Sequence, residues 1–186
     1  MAKVVKAVDA RQPKREASLR PVMESYPDYV YAVGMITIQL GNLETRLADL
    51  LAALLGVDTE VGHAIYFTPK SGVARVEVLE NVHGALHPDK DLDAAEVKAI
   101  RKKLEHIRKR AKGIMDRRNK FAHAHWGIIG SAVYVGEAPI TAEKFKEADL
   151  AELEQIVEDM LILDTDAEEL VDRILDARES PTATDV

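Results

Sequence analysis

DAAEVKAIRKKLEHIRKRAKGIMDRRNKFA, running from Asp93 to Ala122, decides the fold. Val97, Ile100, Leu104, Ile107, Ala111 and Ile114/Met115 recur every three or four residues, the period of one helix face, and the basic residues fill the other faces. Asp93-Ala94-Ala95-Glu96 has the form of a capping box: the first carboxylate caps and the fourth residue reaches back. The spacing predicts one long helix ending near Ala122.

Toward the N-terminus a second strong pattern begins at Pro27 or Asp28. Val33, Ile36, Leu40, Leu43, Leu47, Leu50 and Leu54 form its apolar stripe, and Gly56 follows the last of them, where a helix end favours a left-handed residue. Gly34 and Gly41 inside this helix cost about 1 kcal/mol each relative to alanine; close helix packing would account for them. Val61 to Phe67 is a short apolar segment. Thr68-Pro69 reads as a helix start, cap then proline, with Val73, Val76, Leu79 and Val82 on the buried side and an end near Gly84 or Leu86. His87-Pro88-Asp89 is loop.

Toward the C-terminus, Trp126-Gly127-Ile128-Ile129, Gly130-Ser131 and Ala132-Val133-Tyr134-Val135 read as a small β-hairpin with a glycine turn. Such a hairpin is marginal alone and is expected to pack on helices. Asp149 to Glu152 gives a second capping box. Leu150, Leu153, Val157, Met160, Leu163, Ala167, Leu170 and Ile174 carry a helical stripe to about residue 178, with Asp164-Thr165-Asp166 as a candidate break. The expectation is an all-α bundle of four to five helices with a β-hairpin inserted before the last long helix. Residues 1–26, with Pro13, Pro21 and scattered charge, read as a loosely ordered basic arm; 27–178 as one helical domain; 179–186 as a tail.

The 186 residues suffice for a core without staples, and the absence of cysteine removes disulfides, thiolate catalysis and cysteine–zinc sites. No run approaches the roughly 20 apolar residues of a membrane span, and residues 1–6 lack the apolar core of a signal peptide. A soluble, cytoplasmic protein is the expectation. The net charge of −7 is unevenly spread: Lys98 to Lys120 holds eleven Lys or Arg against Glu105 and Asp116, while the rest of the chain has 14 basic and 30 acidic residues. A local phosphate-binding surface and a merely solvated helix face both fit such a segment.

The chemistry-bearing residues cluster in Asp116-Arg117-Arg118-Asn119-Lys120-Phe121-Ala122-His123-Ala124-His125-Trp126. Arginine clamps phosphate oxygens and stays charged; histidine exchanges protons near neutrality. Together they suffice to cleave a phosphodiester without a metal. No cofactor loop, HExxH or GxSxG is present, and His123-x-His125 lacks the further ligands of a metal site. On an ideal helix Arg118 and His123 point about 140° apart. Either the helix unwinds near Ala122, or two chains facing each other assemble the site.

Arg118-Asn119-Lys120-Phe121-Ala122-His123 resembles the signature of the HEPN superfamily, an arginine and a polar residue followed four to six positions on by a histidine. Gln39-Leu40-Gly41-Asn42-Leu43-Glu44 has the look of such proteins too, and the resemblance covers about residues 28 to 178. It implies an all-α bundle acting as a homodimeric, metal-independent endoribonuclease, a toxin or anti-phage effector with a cognate antitoxin or inhibitor protein. RNA would be cut to 2′,3′-cyclic phosphate and 5′-hydroxyl ends, with His123 moving the proton, Arg118 stabilising the phosphorane-like transition state and Asn119 orienting phosphate or histidine. Paired His123 copies, one taking and one giving a proton, imply a rate that peaks with pH. Arg117, Lys120 and His125 are candidate substrate contacts, and Trp126 a structural anchor. The alternative is an inactive HEPN-like helical module binding a partner protein or nucleotide; a loop near Tyr134 modified by a partner is a third reading.

Overall fold

The computed structural model describes residues 24–85, 94–129, 131–136 and 145–179. Among these, five helices run in chain order: α1 Pro27–Leu55, α2 Thr59–Tyr66, α3 Gly72–Ala85, α4 Ala94–Ala122 and α5 Leu150–Glu179. A three-stranded antiparallel sheet, β1 His125–Ile129, β2 Ala132–Gly136 and β3 Phe145–Glu147, lies between α4 and α5 in the order β1-β2-β3. The chain is therefore an all-α bundle with a small sheet inserted before its last long helix. The N-terminal arm before residue 24, the Asp93 cap, the His87-Pro88-Asp89 loop, the Gly130 turn residue and the tail from 180 lie outside the described residues.

Long-range hydrogen bonds set the helix directions. The Tyr29 hydroxyl donates to the Ala148 carbonyl at one end, and the Arg178 guanidinium donates to the Ala53 and Leu54 carbonyls at the other, so α1 and α5 run parallel. Arg117 pairs with Asp159 and Arg173 with Glu96, which makes α4 antiparallel to α5. Arg108 pairs with Glu80 at 2.7 Å, joining α3 to α4. Leu43, Leu47, Leu50, Leu79, Leu104 and Leu153 are fully buried in one continuous core. Each such side chain contributes roughly 1.5–3 kcal/mol of hydrophobic stabilisation.

The apolar stripes land where the spacing puts them. Gly56 closes α1 at φ 65°, and its N–H and that of Val57 bond back to Ala53 and Ala52 at 3.3 and 3.2 Å. Asp149 caps α5 through a 3.0 Å bond from the Ala151 N–H. Thr165 bonds back to the Leu161 carbonyl at 3.2 Å, and α5 passes unbroken through Asp164-Thr165-Asp166.

Three expectations change. Val61–Tyr66 belongs to α2 and Phe67 caps its end, where Thr68 bonds back to Ala64 at 2.7 Å. Thr68 thus terminates one helix instead of capping the next; α3 starts three residues later, with the Ser71 hydroxyl accepting from the Ala74 N–H at 3.2 Å. The hairpin gains a third strand, β3, because Ala148 donates to the Val133 carbonyl at 2.8 Å and brings the chain alongside β2. Gly34 and Gly41 have nothing among the described residues within 4 Å of where a Cβ would sit, so the close helix packing expected of them is not seen there.

Candidate functional site

The Arg118–His123 segment ends α4 and leads directly into β1. Three features hold that junction. The His123 N–H still bonds to the Asn119 carbonyl at 3.2 Å, an i to i−4 helical bond. Phe121, 7% exposed, anchors the last turn in the core. The Trp126 indole N–H donates to the Phe121 carbonyl at 3.2 Å, with its ring 6.2 Å from the Phe121 ring. It satisfies one of the carbonyls that a helix end leaves without a partner. Trp126 is a structural anchor for the junction.

α4 ends at Ala122, and the i to i−4 bond of the His123 N–H keeps its last turn intact up to that point, so the helix does not unwind between Arg118 and Ala122 to bring the two candidate side chains together. At about 100° per residue, Arg118 falls in line with Ile100, Ile107 and Ala111 on the buried stripe, and His123 falls about 140° away. Exposure agrees: Arg118 and Asn119 are half-buried and His123 is exposed. Within one chain, then, the projection puts Arg118 on the buried side of α4 and His123, the residue after its last turn, toward an exposed side.

Each candidate has a definite setting. The Asn119 side-chain oxygen accepts from Arg118 Nη1 at 3.2 Å, which leaves most of the guanidinium donors available. Among the described residues the His123 imidazole has no hydrogen-bond or ion-pair partner, and Lys120 and His125 are likewise exposed without partners. Arg117 is different, since its guanidinium is engaged by Asp159 of α5. Burial works against ionising Asp159, but hydrogen bonds from Arg117 and Gln155 outweigh it and hold the carboxyl below its ordinary range. Arg117 is thus committed to the α4–α5 contact, whereas Arg118 is not.

A second polar cluster, absent from the sequence reading, lies one turn before Arg118. Arg75 Nη1 donates to Glu44 Oε1 at 2.7 Å, and Arg75 Nε to the Pro69 carbonyl at 3.0 Å. Arg75 also stands 5.1 Å over the Phe67 ring. Tyr66, fully buried beside this pair, has a hydroxyl with no partner among the described residues, and burial and the Glu44 charge push its pKa up. A Cβ on Gly72 would meet Met115 Sδ at 3.1 Å and Glu44 Oε1 at 3.3 Å, so the absence of a side chain lets α1, α3 and α4 close here. Glu44 and Arg75 are 31 positions apart on different helices, a pairing that no local spacing reveals. Elsewhere, His63 Nε2 lies 2.7 Å from Asp49 Oδ1 across α1 and α2.

Among the described residues no three His, Asp or Glu side chains gather into a set able to hold a metal ion, and no helix is long and apolar enough to cross a membrane. Comparison with protein-family models, with curated proteins and with solved structures finds no match to this chain.

Proposed function

We propose that the chain is a metal-independent endoribonuclease of HEPN type, active as a homodimer and serving as a toxin or anti-phage effector. The observation that carries this reading is the Arg118-Asn119-x-x-x-His123 spacing at the end of the longest basic helix, with an exposed, unpartnered imidazole among the described residues. Since one chain holds the two groups on different helix faces, a second copy completes the pocket: its Arg118 approaches this chain's His123, and the reverse.

In the proposed reaction the ribose 2′-hydroxyl attacks the adjacent phosphorus while a neutral His123 takes its proton. The P–O5′ bond breaks, and a protonated His123 from the other copy supplies the proton for the leaving 5′-oxygen. A 2′,3′-cyclic phosphate and a 5′-hydroxyl result. Arg118, steered by its bond to Asn119, neutralises the phosphorane oxygens as charge develops on them.

The test is RNA cleavage in EDTA by wild type, Arg118→Ala and His123→Ala. General acid–base catalysis contributes about 10²–10⁴-fold, so each variant loses at least the lower figure while wild type keeps its rate in chelator. Equal activity in all three, or a wild type silenced by EDTA, refutes the reading. Tyr31 and Ile38, 70% and 58% exposed on α1, favour a second reading, an inactive helical module that docks on a partner protein. Under that reading none of the three preparations cleaves RNA.

A further inference from the structure

The basic residues of α4 divide into two populations. Apart from Arg101, whose Nε is buried without a partner among the described residues, and Arg118 on the buried stripe, those on its flanks are matched to acids on neighbouring helices: Lys103 to Asp166 and Glu169, Arg110 to Asp166, Arg117 to Asp159, and Arg108 to Glu80. Those on its outer side are not. At about 100° per residue, Lys98, Lys102, Lys109, Lys112, Lys120 and His123 fall within one arc of about 80°. All six are exposed, and among the described residues none of their side chains has a hydrogen bond or an ion pair. Glu105 and Asp116 share the arc, leaving five lysines against two acids. The chain has 32 acidic residues, yet its neighbouring helices neutralise the flanks of α4 and leave this ridge bare.

We infer that this ridge is the track along which the ribose–phosphate backbone of a single-stranded RNA runs toward His123. The inference rests on the endoribonuclease reading for its end point but not for its existence. Three features favour a polyphosphate over an acidic protein. Lys98 to Lys120 spans 22 residues, about 33 Å of helix, or roughly ten nucleotides of a stacked strand at 3.4 Å each. The exposed arc carries no apolar side chain, whereas a protein interface has a fairly apolar, charge-depleted centre. The cations are lysines, flexible point charges suited to following a backbone without reading bases. A single strand is favoured because attack by a 2′-hydroxyl needs a nucleotide free to leave its stack.

The experiment measures fluorescence anisotropy of a labelled 20-nucleotide single strand with every 2′-hydroxyl methylated, which the proposed chemistry cannot cleave. Wild type is compared with Lys109→Gln/Lys112→Gln/Lys120→Gln and with a control, Lys70→Gln/Lys146→Gln, whose lysines are exposed elsewhere. Glutamine keeps the helix propensity, and circular dichroism checks that each variant folds. The triple variant binds at least tenfold more weakly, and its log Kd against log salt slope falls by about 2, three contacts at about 0.7 each. The control matches wild type. A triple variant with wild-type affinity and slope overturns the inference, as does competition by polyglutamate equal to that by RNA, which would assign the ridge to an acidic protein. Ridge-dependent binding with no cleavage in the Arg118/His123 assay would leave the track standing and remove the nuclease; cleavage and binding indifferent to the ridge lysines would do the reverse.

Discussion

Trp126 offers the sharpest test of how the α4–β1 junction is held. Its indole donates one hydrogen bond, 3.2 Å to the Phe121 carbonyl, and the ring is 37% exposed. Trp126→Phe keeps most of the ring and deletes the bond. A neutral hydrogen bond is worth about 0.5–1.5 kcal/mol net, and water can reach this half-open site, so the loss is near the lower bound. For a domain of this size that lowers Tm by about 1–2 °C. Trp126→Ala also removes the packing: with nearly two-thirds of the side chain covered, about 130 Å² of apolar contact at 25 cal/mol per Å² gives about 3 kcal/mol. The corresponding drop in Tm is about 6–10 °C. Function should separate the two. His123 keeps its backbone bond to Asn119 in both variants, but only alanine lets β1 part from the last turn, so under the proposed nuclease reading cleavage falls at least tenfold with alanine and by no more than about threefold with phenylalanine. Differential scanning fluorimetry and a cleavage assay read both effects. Equal Tm losses in the two variants, or an alanine variant with unchanged Tm and full activity, would show that the indole does not hold the junction.

Three further outcomes follow from the packing. Gly62→Ala puts a Cβ 2.4 Å from Ala52 Cβ and 2.7 Å from Ala52 Cα, so α2 must shift off α1, and chemical denaturation should show a loss of about 1–3 kcal/mol or more. Arg75→Leu strands Glu44 in a half-closed site and should cost roughly 2–3 kcal/mol, below the 3–5 kcal/mol of a fully buried pair, while Glu44→Leu/Arg75→Leu recovers much of it; a double variant no more stable than the single would contradict this. Asp159 titrates below its ordinary value when folded, so its stabilisation is present above about pH 4 and is lost as pH falls through the folded value. Asp164 is shifted upward by burial and works in the opposite sense. Replacing Asp159 with asparagine should therefore flatten the acid limb of the stability curve, and an unchanged limb in pH-dependent melts would refute the assignment.

The helices were legible because each buries one face, and burial writes a period of three to four residues into the chain. Gly56 and Asp149 were legible for a related reason: helix ends demand particular backbone angles and donors, and few residue types meet them. What escaped was set by distant partners. Thr68 looks like a cap in sequence, but its hydroxyl has a closer acceptor one turn back at Ala64. Phe145–Glu147 has no strand pattern of its own and becomes β3 only because β2 offers a free edge. The Arg118–His123 motif was visible as a spacing, and so was the mismatch between its two faces. Invisible was the sorting of lysines and arginines on α4, since which cations are neutralised depends on acids 42 to 66 positions away in α5 and on Glu80 of α3.

Ala148 receives the Tyr29 hydroxyl on its carbonyl and gives its own N–H to Val133, so one residue, through the peptide groups on either side of it, ties the first long helix to the sheet across 119 positions. Closing so long a loop carries a large entropic cost that only later contacts offset. During translation, helices α1 to α4 would emerge before that peptide exists, and the motif at the end of α4 would wait for its support. On the proposed endoribonuclease reading, a nascent chain would be harmless to the transcripts around it until synthesis had passed the sheet and the last helix had docked.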